Sequence, residues 1–469
     1  MADAARPNAD AELRRAWLIG LALLCCYAYF FYLGGNWNVE SHGAQIYALA
    51  EHASLVIDDY PFLPEGGGDA AKYGGRYYSD KLIGPSLVAL PVYWIARRAL
   101  TAARLDFRPA VYVALRIANL IVNAVPAALI GLLLYLFAAD LDLSARLRVW
   151  LAFAYGMGTL ALPYSTAFFG HQFAAACVFG SFLLLWRQRR GWSGTRALAA
   201  GALAGLAAIS DVMGLIIAPF LGLYAIWLFS GRGSGDSIGA KAAVGRVLCF
   251  AAPAVAVGAV QLIANYASFG SPFTMPHIYH AQQTFRARHT AGLFGIHLPQ
   301  LYPLYQLTIG PWRGLFYNSP VLVLALPGVF LLGRPRRAEA ALIAAAWLAV
   351  LLLNAGYENW TTGSSFGARY QIPAIPLLVV AAAPAARRWP AVFKTLAVIS
   401  IGFMVVVTAQ TPFVPEDLRN PLLRALEGFA RGDLLHGNLG RLAGLPGLLS
   451  LLPLAAVEAA LVYGIRRAK

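Results

Sequence analysis

Runs of about twenty apolar residues recur along this 469-residue chain from one end to the other, and each is long enough to cross a bilayer as an α-helix. The first extends from Ala16 to Gly35; later ones fall near 109–138, 148–168, 172–188, 196–211, 212–230, 245–266, 317–333, 338–355, 370–386, 394–412 and 446–465. In lipid every backbone N–H and C=O needs an internal partner, which a helix supplies within its own segment. Strand-like alternation is absent. The pattern predicts an all-α polytopic membrane protein with about twelve transmembrane helices, forming one integral membrane domain over residues 1–469. Hydrophobic residues make up 59% of the chain and charged ones only 13%, which excludes an ordinary water-soluble domain.

The net charge of +15 would fit a nucleic-acid partner if the basic residues formed one patch. They sit instead in short clusters between apolar runs, where such clusters set membrane orientation, so no nucleic acid is expected. Arg14 and Arg15 place the N-terminus in the cytoplasm and the long loop 36–108 outside. Within that loop, Leu82 to Leu100 is apolar enough to span but short, interrupted by Pro85 and Pro91, and closed by Arg97-Arg98. If it spans, six later clusters lie outside: Arg146/Arg148, Arg187/Arg189/Arg190, Arg232/Lys241/Arg246, Arg334/Arg336/Arg337, Arg387/Arg388 and Arg466/Arg467/Lys469. If it lies along the outer face as an amphipathic helix, all six fall inside, and this is the arrangement expected. Arg97, Arg98, Arg104 and Arg108 then meet anionic headgroups or a phosphate. No cleavable signal is read at the first run. Cys25, Cys26, Cys177 and Cys249 all lie in apolar runs and read as packing residues.

On this topology the polar residues gather outside: in the loop 36–108, the tip Tyr164–His171, the large loop 265–320, and the segments 356–371 and 411–445. The densest stretch, Asp69 to Lys81, carries two Asp, two Lys, an Arg and three Tyr beside a Gly-rich bend. A loop this long is functional or disordered, and this one alternates amphipathic pieces with turn residues. Asp58 and Asp59 follow an expected amphipathic helix over 41–55, and Asp69 follows Gly66-Gly67-Gly68. With Glu40 these compete as a catalytic base; each alone is an ordinary turn or cap carboxylate. His171 closes an aromatic tip, and Arg313 and Arg369 each precede a span at the outer end, against the inside bias. Glu358 precedes Trp360, while Asp211, between two tightly connected helices, needs a partner or a watery cavity. His277, His280, His289 and His297 invite a metal reading, but their spacing does not set a histidine pair and a carboxylate on one helix face. No cofactor is expected, and a divalent metal is unsupported.

Three stretches carry a family resemblance: Ile57-Asp58-Asp59-Tyr60 with Asp69 and Gly75-Arg-Tyr-Tyr-Ser-Asp-Lys81; Gly310-Pro-Trp-Arg-Gly-Leu-Phe-Tyr-Asn-Ser-Pro320; and Gly356-Tyr-Glu-Asn-Trp-Thr-Thr-Gly-Ser-Ser-Phe-Gly-Ala-Arg-Tyr370. Together with the order of spans, the chain resembles the GT-C type integral-membrane glycosyltransferases, in particular bacterial relatives of protein O-mannosyltransferases and of the lipid A aminoarabinose transferase. The resemblance implies transfer of one sugar from a polyprenyl-phosphate donor to a lipid, glycan or protein acceptor, with inversion. The reaction would run at the outer face of the bacterial cytoplasmic membrane. It implies that Lys81, at the start of a surface helix, binds the donor phosphate and is not needed for folding. Tyr78, Asp80, His171, Arg313, Glu358, Arg369 and Tyr370 then line the substrates, and Glu40 and Asp69 are the favoured bases with Asp58 behind them. The chain departs from those relatives where an Asp-Glu pair opens their first loop, having Asn38-Val-Glu40-Ser-His42 there, and has Gly170-His171 where they carry a second acidic site. Two rival readings remain: a flippase or transporter of a lipid-linked sugar, which predicts ionisable residues deep in several helices where few are seen beyond Arg116 and Asp211, and a glycan ligase or polymerase using a diphosphate lipid donor, which shares the architecture.

Overall fold

The computed structural model describes residues 9–32, 35–231, 238–333 and 336–468; Arg232, Arg334 and Lys469 of the basic clusters lie outside them. The fold is mostly helical with little sheet. Among the described residues seven helices are long and apolar enough to cross a membrane: Phe107–Leu141, Val212–Phe229, Ala240–Phe269, Arg337–Gly356, Arg369–Arg388, Pro390–Gln410 and Gly447–Arg467. In the helix Ala240–Phe269 only 6% of the apolar window is buried by the rest of the chain. Thirty residues of that composition facing water would carry a large hydrophobic cost, which lipid removes. By these helices the chain is a membrane protein.

Several expected spans are shorter or broken, for local reasons. The first helix stops at Tyr29, before Gly35, because Phe30-Phe31 becomes extended and pairs antiparallel with Gly437-Asn438. The run 148–168 divides at Thr159 into Ala145–Gly158 and Ala161–Ser165. Pro163 has no N–H for the carbonyl four residues back, and the Thr159 hydroxyl turns to the Tyr155 carbonyl (2.6 Å). Pro126 acts similarly inside Phe107–Leu141, where a π-helical stretch, Leu120–Ala124, absorbs the disruption.

Ion pairs collect the basic clusters at one end of the bundle. Glu12, near the start of Ala9–Tyr29, pairs with Arg148 at 2.7 Å and accepts from the Tyr135 hydroxyl at 2.9 Å. Arg189 meets Glu339 at 2.6 Å, Arg190 meets Asp140 at 2.7 Å, and Arg387 reaches Asp142 at 3.4 Å. The start of the first helix and the end of Phe107–Leu141 therefore share this end of the bundle. The helix Gly170–Gln188 leads about 24 Å away, from Arg187 at the paired end to His171 at the other.

At that far end the stretch expected as a bend within a loop is a β-hairpin, Ala70–Tyr73 against Arg76–Ser79. Its turn residues, Gly74 and Gly75, have φ of 57° and 83°, and two consecutive positive φ values match the twist of a two-residue hairpin, which glycine allows. The hairpin ties the two large loops together: Ile57 N–H donates to the Tyr77 carbonyl (2.9 Å) on one side, and Ala281 N–H to the Ala70 carbonyl (2.7 Å) on the other.

Candidate functional site

Close backbone approaches at two glycines build the floor of a cavity of about 620 Å³. Gly84 N–H donates to the Ile209 carbonyl at 2.8 Å. A Cβ on Gly170 would stand 2.4 Å from the Ser210 carbonyl oxygen, and one on Gly84 2.6 Å from Ser210 Oγ. Only glycines let the segments around 84, 170 and 210 meet. Lys81, His171 and Asp211 consequently face one space.

The hairpin sets Lys81 between two carboxylates, its Nζ 2.9 Å from Asp69 and 2.9 Å from Asp80. Asp80, almost wholly buried, also accepts from the Ser41 hydroxyl at 3.1 Å. His280 Nε2 lies 3.7 Å from Asp69, and His277 Nε2 lies 3.9 Å from Asp80. His280 Nδ1 accepts the Gln282 N–H (3.1 Å), so in the neutral ring the proton sits on Nε2, turned toward Asp69. Burial alone would raise the Asp69 carboxyl, but Lys81 and then His280 outweigh it and hold Asp69 well below the usual carboxylate range. Burial would lower the Lys81 ammonium, and Asp69 and Asp80 instead raise it. Lys81 is therefore part of the fold as well as a candidate phosphate ligand, contrary to its expected independence from folding. Two of its three N–H groups are spent on carboxylates, leaving one for a ligand.

Arg369 lines the same cavity, with its guanidinium 5.2 Å from the Phe169 ring centre and 5.5 Å from that of Tyr370. His171 Nδ1 is hydrogen-bonded to Asp211 Oδ2, which supplies the partner Asp211 requires. His42 is 3% exposed; burial first, then Lys81, keeps it neutral by lowering its pKa well below the usual value. His289 is pressed down to about 3 by burial and by the neighbouring His277 and His280. Val212, Met213, Leu215, Ile216 and Leu353 form an apolar wall beside these groups. Among the described residues no group of three His, Cys, Asp or Glu is arranged to hold a metal ion.

Of the residues singled out in the sequence, Asp69, Asp80, Lys81, His171, Arg369 and Tyr370 line this cavity, and Glu40, Asp58, Tyr78, Arg313 and Glu358 do not. Glu40 faces a separate small cavity and accepts from the Tyr60 hydroxyl at 2.9 Å; burial raises its carboxyl, with the Tyr60 bond opposing. Asp58 accepts the Tyr77 N–H at 2.7 Å, bracing the hairpin from an exposed position. Tyr78 packs its ring 5.4 Å from Phe269. Arg313 is fully buried and donates to the Ser365 and Gly363 carbonyls. Glu358 is exposed, 3.5 Å from His297. The cavity adds His42, His277, His280 and His289, which sequence reasoning did not place there. His42 had one signal: residues two apart on a helix point about 200° from one another, so Glu40 and His42 serve opposite sides.

No protein-family model matches the chain, and no curated protein matches it either.

Proposed function

We propose that the chain is a glycosyltransferase of GT-C type, moving one sugar from a polyprenyl-phosphate donor to an acceptor at the outer face of a bacterial cytoplasmic membrane. The observation that carries the reading is the amphipathic cavity: Lys81 and Arg369 stand beside an apolar wall from Val212 to Ile216 and Leu353. A lipid phosphate has that division of chemistry, an anionic head on an apolar tail. Arg forks and Lys point charges both suit phosphate oxygens, and charge held where the leaving phosphate develops it lowers the barrier. On this reading about twelve helices span, and the cavity end faces outside.

Two measurements test the reading. Purified protein in liposomes is incubated with a panel of radiolabelled polyprenyl-phosphate sugars and with lipid, glycan and peptide acceptors. Label passing from donor to an acceptor supports it. Label that crosses the bilayer still attached to its lipid supports a transporter and rejects it. For topology, single cysteines near Arg190 and Arg336 are expected to resist a membrane-impermeant thiol reagent in intact cells, whereas one at Arg98 reacts; ready labelling of the first two reverses the assigned sides.

A further inference from the structure

The cavity's carboxylates are already committed. Asp69 and Asp80 hold Lys81, and Asp211 holds His171 and accepts the Met213 N–H at 2.7 Å. A carboxylate bound to one ring nitrogen of a histidine fixes the proton there and leaves the lone pair on the other. His171 Nε2 is that other nitrogen, and it is buried with no hydrogen-bond partner. Buried polar atoms of folded proteins are overwhelmingly satisfied, so this one needs an explanation. His171 and Asp211 both line the cavity, and a histidine held by a carboxylate at one nitrogen with the other left unbonded is the arrangement of a general base.

We infer that His171 is the catalytic base and Asp211 its positioning residue, so that the proton acceptor is an imidazole and not one of the outer-loop carboxylates. The inference rests on the transferase reading and names the group that reading leaves open. The backbone is built to hold the pair. His171 lies in the first turn of Gly170–Gln188 and Asp211 is the N-cap of Val212–Phe229. Gly170 lets the two helix starts touch at Ser210. Around the imidazole, Phe169 stacks at 5.7 Å, while Tyr164 and Tyr370 stand edge-on at 6.1 and 6.0 Å. Among the described residues, the titratable groups around it include Asp211, Tyr164, Tyr370 and His42, with Arg369 on the same cavity wall.

In the step itself the acceptor hydroxyl gives its proton to His171 Nε2, and its oxygen forms the bond to the anomeric carbon. The anomeric carbon–oxygen bond to phosphate breaks, and its electron pair leaves on the polyprenyl phosphate beside Lys81 and Arg369. Asp211 stabilises the imidazolium until the proton passes to solvent.

The test is His171→Gln and Asp211→Asn, assayed with radiolabelled polyprenyl-phosphate sugar. Asn caps a helix about as well as Asp and still accepts from Nδ1, so Asp211→Asn keeps the fold and removes only the charge. Each variant is expected to lose about 10²-fold or more in kcat, with unchanged donor KM and unchanged binding of polyprenyl phosphate. The acid limb of the wild-type pH–rate profile, set by protonation of His171, should vanish from the residual activity of His171→Gln. Near-normal kcat in both variants overturns the inference while leaving the transferase reading intact. Loss of polyprenyl phosphate binding along with turnover also overturns it, since His171 is then a donor ligand. A wild-type protein that transfers no sugar rejects the transferase reading and the base together.

Discussion

Lys81→Met is expected to lower both stability and turnover, by separable routes. The ammonium lies between Asp69 and Asp80, with side-chain exposures of 12%, 21% and 3% respectively. Removing it leaves the buried Asp80 carboxylate facing the part-buried one of Asp69, and breaking such a pair costs up to about 3–5 kcal/mol. Adding Asp80→Asn to Lys81→Met removes one stranded charge and should recover much of that loss. Turnover should not recover, because the charge on the phosphate side is still missing, a loss of roughly 10²–10³-fold. Thermal unfolding in detergent and a turnover assay on the same samples check both halves. A single variant with wild-type melting would mean that the triad is not structural; restored turnover in the double variant would remove Lys81 from the phosphate site. The pH dependence has a definite sign. The Asp69 carboxyl is depressed by Lys81, so its contribution is present above the unfolded carboxylate pKa and is lost as pH falls through the folded value. The Lys81 ammonium is raised, so its contribution is present below the unfolded lysine pKa and is lost as pH rises through the folded value. The pair should thus stabilise fully between about pH 5 and about pH 9.

The helical membrane class was legible because apolar runs of spanning length follow directly from the thickness of a bilayer. The orientation of Leu82–Leu100 was argued from charge parity alone, and the labelling of cysteines near Arg190 and Arg336 tests it. Less visible was where polar side chains point inside a loop. Lys81 and Asp69 were found because the stretch around them is unusually polar. Glu40 looked equivalent by position, yet about half a turn of helix sends it to the cavity with Tyr60 while His42 faces the other way. The Gly74-Gly75 turn between Ala-Ala-Lys-Tyr and Arg-Tyr-Tyr-Ser was a readable hairpin signal, and it went unread because alternation over four residues is faint. The encounter of His171 with Asp211 depends on backbone contact between Gly170 and Ser210. No local pattern encodes a contact forty residues apart in sequence. The role of Arg313 was hidden for a related reason: an arginine against the orientation bias signals a special environment, but burial and ligand binding produce the same signal.

Arg313 therefore yields the sharpest separation between a binding role and a bracing one. It is 0% exposed, and its guanidinium forks onto the carbonyls of Ser365 and Gly363, the latter at 3.0 Å. Burial presses its pKa down to about 10, so it remains a cation at neutral pH. The loop it braces contributes Thr362, Gly363 and Ser364 to the cavity wall. Thr362 has φ 63°, a conformation that a β-branched residue adopts only when its surroundings impose it. Arg313→Ala takes the guanidinium from both carbonyls, leaving that of Gly363 only the Ser365 hydroxyl at 3.5 Å, and opens a large void, which should cost about 3–5 kcal/mol. Arg313→Lys keeps the charge but cannot fork to both carbonyls, and is expected to lose about 2 kcal/mol. If the residue bound phosphate directly, the lysine variant would keep wild-type melting and lose affinity for polyprenyl phosphate. A bracing role gives the reverse order: melting falls from wild type to Lys to Ala, while the fraction of molecules still folded binds polyprenyl phosphate. Binding and melting measured on one detergent preparation decide between them, and Arg313→Ala with wild-type melting and abolished binding would return the residue to the substrate site.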